Sequence, residues 1–445
     1  MTKYGHSILR GLTVLTTAAL LTLTSAEAAI QHRTSEAEAA QETLQTDSIS
    51  AAEDTLLVKP WPYNVREAVD SLLASPMFST SMIGIKIYDL TADSAIFEHN
   101  ARQLMRPAST LKMMTGVTAL RQLGPDHAFT TSVYYSGSID SCVLTGNIYC
   151  KGGFDPAFNT ADMRAFARSI KALGIDTIRG SIIADRSMKD SDLLGEGWCW
   201  DDDNPVLSPL LVNRKDSFAE QLARHLRQDS IVITGVTDTG IVPKGSKEIC
   251  RRQRTLMDIL PRMMKRSDNL YAEAIFYNLA QRFSKGKKAT ARQGRQAINR
   301  IISECGHTPS NYYIADGSGL SLYTYVSPEL EVDFLRYAYA DKSIYDSLLV
   351  TLPIAGIDGT LAKRMGNSAA YNNVYAKTGT VTGISSLAGY CTASNGHRLC
   401  FSIINMGIRK AAQGRNIQDK ICDAMCRDYT PKTGSEPDGE RQQAD

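Results

Sequence analysis

Apolar side chains recur along this chain in two rhythms, every third or fourth residue and every second residue, and the changes between them mark its elements. Helical spacing over 64–73 is followed by Met82-Ile83-Gly84-Ile85-Lys86-Ile87-Tyr88-Asp89, whose alternation predicts a strand with a partner around Ala95-Ile96-Phe97. After Pro107, the positions Leu111, Met113, Met114, Val117 and Leu120 make one side of a run apolar, as a helix under a sheet requires. From 130 to about 248 the texture changes to short strands and turns. That stretch predicts strands over 143–149, 180–185 and 231–235 and helices over 162–173 and 218–227. Helical spacing returns after Leu256 and continues through 270–277, 289–302 and 328–339. The chain then reads as strand, hairpin, strand and a helix over 418–427.

A helical cluster between an N-terminal hairpin and C-terminal strands suits an α+β fold with an antiparallel sheet. Its one main domain is discontinuous, over 57–129 and 249–430, with a smaller inserted α/β domain at 130–248. The ends read differently. Lys3 and Arg10, an apolar stretch from Gly11 to Thr24, and Ala26-Glu27-Ala28 predict an export signal over 1–28, with the mature chain beginning near Ala29. That stretch is short for a membrane span. Residues 29–56, rich in Glu, Ala, Gln, Ser and Thr, read as a flexible linker, and 431–445 as a disordered tail. The expected location is outside the cytoplasm, in the periplasm, with no transmembrane segment in the mature chain.

Composition narrows the function by exclusion. A net charge of +2 over 445 residues, without a basic block interleaved with aromatics, gives no support for nucleic-acid binding. Seven scattered histidines and no Cys-x-x-Cys pair predict no metal and no cofactor. Nine cysteines leave at least one thiol unpaired within the chain. Cys391 and Cys400 flank the turn Ser394-Asn395-Gly396 and are a candidate hairpin bridge, as are Cys142 and Cys150, with buried free thiols the alternative.

Three short motifs carry the chemistry. Ser109-Thr110-Leu111-Lys112 places a lysine one helical turn from a serine, so its amine can take the hydroxyl proton during attack on a carbonyl. Ser267-Asp268-Asn269 opens a helix-like run, and Lys377-Thr378-Gly379-Thr380 lies in a strand-like passage. Decoys show that context matters. Ser284-Lys285-Gly286-Lys287 repeats the first spacing in a Lys/Gly-rich stretch that reads as a solvated turn, and Lys432-Thr433-Gly434 lies in the polar tail.

In this order the motifs resemble those of the penicillin-recognising serine acyltransferases. Longer passages are similar to the low-molecular-mass penicillin-binding proteins of the D-alanyl-D-alanine carboxypeptidase/endopeptidase family, which carry an inserted domain between the first two motifs. They include Arg106-Pro107-Ala108-Ser109, Gly153-Phe154-Asp155-Pro156, Gly197-Trp198, the segment from Ala315 to Ser321, and the segment from Leu352 to Thr360, within about 60–430. The resemblance implies a penicillin-binding/β-lactamase-like transpeptidase fold, peptidoglycan stem peptides as substrates and β-lactams as covalent inhibitors. It further implies that Ser109 is the nucleophile, Lys112 its base and Ser267 a proton relay. Asn269 would hold the substrate amide, and Lys377 and Thr378 the terminal carboxylate. The backbone N–H groups of Ser109 and Thr380 would form the oxyanion hole, with Gly379 giving close approach and Asp268 structural.

The chain departs from that pattern in two places. Ser267 follows Lys112 by 155 positions, which is short for the family and implies that a further module within the insertion is absent. Relatives receive the stem-peptide side chain in a pocket built partly from an aspartate, an arginine and a glutamine; Asp202 matches the aspartate, but Leu322 and Thr382 stand at the other two positions. Two alternatives remain. A β-lactamase needs a carboxylate to activate the deacylating water, typically in a Glu-x-x-Leu-Asn segment, and none occurs. A non-catalytic peptidoglycan-binding envelope protein has no chemical reason to keep Lys112, Ser267 and Lys377 together.

Overall fold

The computed structural model describes residues 59–201 and 204–430. Helix α1 (Trp61–Leu73) precedes the hairpin β1 (Met82–Asp89) and β2 (Ser94–His99), and a 3-10 turn at Ala108–Thr110 leads into α2 (Leu111–Gln122). Next come β3 (Ala128–Tyr135), β4 (Ser138–Asp140), β5 (Val143–Thr145), β6 (Ile148–Lys151), α3 (Thr160–Lys171), β7 (Thr177–Arg179) and β8 (Ile182–Asp185). Then α4 (Phe218–Gln228) is followed by β9 (Val232–Ile233), β10 (Thr237–Thr239) and β11 (Lys247–Thr255). Five helices follow: α5 (Leu256–Lys265), α6 (Asn269–Phe283), α7 (Ala291–Glu304), α8 (Pro328–Ala340) and α9 (Lys342–Leu349). The described chain closes with β12 (Tyr375–Val381), β13 (Ile384–Thr392), β14 (Arg398–Met406) and α10 (Ala411–Cys426).

Strands from the two ends of the chain form one antiparallel sheet in the order β12-β13-β14-β1-β2. Alternation along β1 and β14 sends Ile83, Ile85, Ile87, Leu399, Phe401 and Ile403 to one face, where they pack with Val65 and Val69 of α1 and Ile417 and Ile421 of α10. Tyr88, Tyr390 and Cys400 join the opposite cluster, with α2 and residues of α5 to α9. The sheet is therefore covered on both faces. Helix α2 is buried from Leu111 to Leu120, its polar Thr115 and Thr118 included. Thr115 Oγ1 donates to the Gly317 carbonyl at 2.7 Å and Thr118 Oγ1 to the Met114 carbonyl at 2.7 Å, so burying them costs little.

A second sheet, β10-β8-β6-β3-β11, joins parallel neighbours β10, β8 and β6 to antiparallel β3 and β11, and a third has the order β4-β5-β7-β9. Helices α3 and α4 close over them through Phe166, Phe218 and Leu222, joined by Phe158 just ahead of α3. The single strand expected over 143–149 is two strands in different sheets. Gly146 divides them: its φ is 155°, and a Cβ there would collide with the Ser136 carbonyl. The terminal helix begins at Ala411, seven positions earlier than its apolar spacing suggests.

Neither candidate disulfide forms; all nine thiols are free. In the β13–β14 register Cys391 pairs with Leu399 and Cys400 with Tyr390, so the two cysteines point to opposite faces of the sheet. Cys391 lies in one core and Cys400 in the other. Cys142 is exposed at the turn before β5, whereas Cys150 is buried in β6 of another sheet.

Phe276 of α6 fills the space left by two glycines. A Cβ at Gly294 or Gly317 would come within 2.6 or 2.5 Å of its side chain. Phe276→Ala is expected to cost about 3–5 kcal/mol through the cavity it opens, measured by urea unfolding; a loss below 1 kcal/mol would show that the neighbouring segments collapse into the space.

Candidate active site

Ser109 lies in the 3-10 turn ahead of α2. Its neighbour Ala108 has a φ of 50°, a left-handed conformation that a residue with a Cβ rarely adopts, so the surrounding contacts must hold it. Thr110 Oγ1 donates to the Pro107 carbonyl at 2.8 Å, and Ser386 Oγ of β13 donates to the same oxygen. Gly319 presses on the turn from the other side, where a Cβ would collide with the Ala108 carbonyl. Gly379 of β12 is as tightly placed. A Cβ there would collide with Ser386 Oγ and come within 2.9 Å of Ser109 N, so its missing side chain brings the strand against the serine turn itself.

Lys112 is fully buried, and its amine donates to Ser109 Oγ at 2.9 Å, Asn269 Oδ1 at 2.8 Å and the Ser318 carbonyl at 2.8 Å. Three donors meet three acceptors. Two of these acceptors have no proton to give, so they hold two N–H groups whatever the charge of the amine. When the amine loses a proton, its lone pair faces the one partner that can donate, the Ser109 hydroxyl. Burial lowers the Lys112 ammonium to about 8, against the opposing pull of Asp316, Glu273 and Asp268.

Ser267 lies between α5 and α6 with a φ of 57°, and its hydroxyl accepts from Lys377 Nζ at 2.8 Å. The same amine donates to the Thr378 carbonyl at 2.6 Å. Lys377 is fully buried; burial first, and then the charge of Lys112, hold it well below the usual lysine range. Asp268 caps α6 by accepting from Leu270 N at 3.2 Å, and pairs with Arg214 at 2.7 Å and Arg262 at 2.9 Å. Thr378 Oγ1 donates to Thr360 Oγ1 at 2.8 Å, and Thr380 Oγ1 donates to the Gly379 carbonyl at 2.8 Å. Ser109 and Asn269 thus meet at the Lys112 amine and Ser267 at the Lys377 amine, and the charge of Lys112 is felt at Lys377. Asp202 lies outside the described residues, while Leu322 and Thr382 are exposed.

The sequence profile of the D-Ala-D-Ala carboxypeptidase 3 (S13) family matches residues 65–213 and 204–427. The chain belongs to the S13 family. It is 26% identical to the D-alanyl-D-alanine carboxypeptidase of Actinomadura sp. strain R39, over 77% of this chain and 81% of that protein. In structure it is similar to penicillin binding protein 4 from Haemophilus influenzae, with a TM-score of 0.70 at 24% identity, over 79% of this chain and 97% of that one. The same protein complexed with a novel β-lactam matches with a TM-score of 0.68 at 24% identity, over the same shares of the two chains.

Sequence reasoning missed several groups that complete this S13 site. The Ser318 carbonyl anchors Lys112, Thr360 meets Thr378, and Ser386 fixes the Pro107 carbonyl. The nearest signal was the run Asp316-Gly317-Ser318-Gly319, whose turn composition marks a loop but not its partner. Glu331 of α8 was also invisible. It is buried behind the serine turn, beside the Thr110 hydroxyl, with Ser402 Oγ donating to its Oε2 at 2.6 Å and, among the described residues, no hydrogen bond at Oε1.

Burial pushes the Glu331 carboxyl up from 4.5 to about 7. Below pH 4.5 the folded and unfolded states both carry this proton. Between 4.5 and 7 the unfolded chain sheds it first, so stability falls as pH rises, by on the order of 3 kcal/mol for this group. Urea unfolding from pH 4 to 8 is expected to show that decline and Glu331→Gln to make it shallower; an unchanged slope in the variant would place the titration elsewhere.

Proposed function

We propose that this protein is a serine D-alanyl-D-alanine carboxypeptidase and/or D,D-endopeptidase that acts on peptidoglycan stem peptides through an acyl-enzyme and is blocked covalently by β-lactams. One observation carries the reading: Lys112 Nζ joins Ser109 Oγ to Asn269 Oδ1, while Lys377 Nζ joins Ser267. Family membership and the β-lactam complex of the Haemophilus influenzae protein support it.

Ser109 Oγ attacks the carbonyl of the penultimate D-Ala as its proton passes to the Lys112 lone pair. The backbone N–H groups of Ser109 and Thr380 receive the oxyanion. The C–N bond then breaks, and the departing D-Ala amine takes a proton relayed through Ser267. Water hydrolyses the ester left on Ser109. Lys377 and Thr378 hold the terminal carboxylate, Gly379 keeps β12 close to the serine turn, and Asn269 Nδ2 faces the substrate amide. The carboxylate also restores a counter-charge to Lys377, and a charged Lys377 disfavours a second ammonium at Lys112. Binding thereby favours the free base.

Asp202 lines the stem-peptide side-chain pocket in this reading. Residues 57–129 and 249–430 form the acyltransferase domain, and 130–248 an inserted domain whose last strand runs on to Thr255. The chain acts in the periplasm after removal of 1–28 in this reading; that segment, 29–56 and 431–445 lie outside the described residues.

Ser109→Ala is expected to abolish both covalent labelling by a fluorescent penicillin and release of D-Ala from a D-Ala-D-Ala peptide; an adduct surviving on the variant would refute the nucleophile. Lys112→Ala is expected to fold and to slow acylation by roughly 10²–10⁴-fold, followed by stopped-flow. Benzylpenicillin should leave a long-lived stoichiometric adduct, whereas fast turnover would mark a β-lactamase.

A further inference from the structure

A cavity of about 260 Å³ opens beside the second motif, lined by Pro156, Ala157, Asn159, Arg214, Arg262 and Tyr271 among others. Two guanidiniums meet there. Arg214 Nη1 and Arg262 Nε both donate to one oxygen, Asp268 Oδ2, at 2.7 and 2.9 Å, while Oδ1 accepts from Leu270 N at 3.2 Å. The remaining donors, Nε and Nη2 of Arg214 and both Nη groups of Arg262, bond no other protein group among the described residues. One carboxylate therefore answers two cations. Asp155 and Asp162, which bracket the wall from Pro156 to Asn159, do not make up the difference, because Arg252 and Arg254 pair with them. The cavity keeps a surplus of positive charge.

Both cations are held in place. Asn213 and Arg214 sit in left-handed conformations, with φ of 48° and 67°, in a two-residue turn closed by Val212 and Lys215. Asn213 ties that turn to the start of α3, donating from its N–H to the Phe158 carbonyl at 2.9 Å and from Nδ2 to Thr160 Oγ1 at 2.7 Å. Arg262 lies over the Tyr271 ring, 4.9 Å from its centre. Two consecutive left-handed residues that carry side chains cost energy, and such strain gathers where proteins bind.

In the reaction proposed above, Ser267 relays a proton to the leaving amine, so the departing group lies against the second motif, one residue from Asp268. In a free stem peptide that group is D-Ala, whose one carboxylate goes to Lys377 and Thr378. In a cross-link the leaving amine belongs to a second stem peptide, which carries further carboxylates past the motif. We infer that Arg214 and Arg262 form a subsite for a carboxylate of this second stem peptide, and that the subsite biases the enzyme toward cutting cross-links. The proposal rests on the reading of Ser267 as the relay. Each guanidinium has an unspent edge to offer a carboxylate. Pro156, Ala157 and Tyr271 give an apolar wall to the chain that bears it. A bound carboxylate brings the count to two anions for two cations and leaves Asp268 in its place as the cap of α6. Arg214 comes from the stretch 130–248, so the insertion supplies half of the subsite.

The test is a competition assay in which a cross-linked muropeptide dimer and an uncross-linked pentapeptide muropeptide share one reaction, followed by mass analysis. The readout is the ratio of their kcat/KM values, dimer over monomer. Arg214→Gln and Arg262→Gln are each expected to lower that ratio by about five-fold or more, the scale of a half-exposed ion pair. A merely structural role through Asp268 slows both substrates alike, so an unchanged ratio would overturn the proposal. Should the variants not fold, the wild-type protein decides. Amidating the carboxylates of the second stem peptide, save the one beside the leaving amine, is expected to slow cleavage of the dimer by the same factor; equal cleavage of amidated and free dimers would overturn the proposal. So would a dimer left intact while D-Ala is released from the pentapeptide. Absence of both D-Ala release and a penicillin adduct at Ser109 would instead sink the parent reading.

Discussion

An amine withdrawn from water needs an acceptor for every hydrogen it carries, and the three acceptors around Lys112 set the terms for the rest of the molecule. They come from the turn before α2, the first residue of α6 and a loop beyond α7. Each of those places is fixed by its own device. Ala108 is locked in a left-handed conformation between Gly319, Gly379 and Ser386; Asp268 caps α6; Asp316 gathers donors from its loop and from Trp198. Without these, the amine would lose an acceptor inside an apolar cluster, a situation costly enough to unfold the neighbourhood.

The large sheet supplies the rigidity on which such placement depends. β12 carries Lys377 and Gly379 on alternate positions of one face, so the amine reaches Ser267 while the glycine admits the serine turn. Covered on both sides, the sheet leaves neither element room to drift. The left-handed Ser267, between α5 and α6, brings the hydroxyl within reach of a lysine 110 positions away.

Much of this was legible because motif chemistry is local. One helical turn joins Ser109 to Lys112, and the strand at 82–89 declares itself by alternation. Contacts with distant loops were not legible. Nothing in the sequence ties Ser318 to Lys112 across 206 positions, or Glu273 to Gly317. β11 escaped because Arg251, Arg252 and Arg254 break its apolar pattern, although β3 accepts it as a strand partner. The predicted strand over 143–149 failed for a different reason, since apolar residues on both sides of Gly146 serve two sheets. Cys391 and Cys400 seemed to face each other only because turn spacing is silent about which face each side chain takes.

The buried thiols of the three cores have a consequence for how the protein ages. Burial holds Cys150, Cys400 and Cys422 in their protonated form, and Cys391 is held so first by its neighbour Cys426 and then by burial. A thiol that cannot ionise is a poor nucleophile toward oxidants and alkylating reagents. Exposed Cys142 meets such reagents at once, while the interior sulfurs react only when the sheet parts from α10 or the inner strands open. Chemical wear on this molecule therefore begins at Cys142, followed by the partly exposed Cys199, Cys250 and Cys305, and reaches the five buried sulfurs only at the pace of its own breathing.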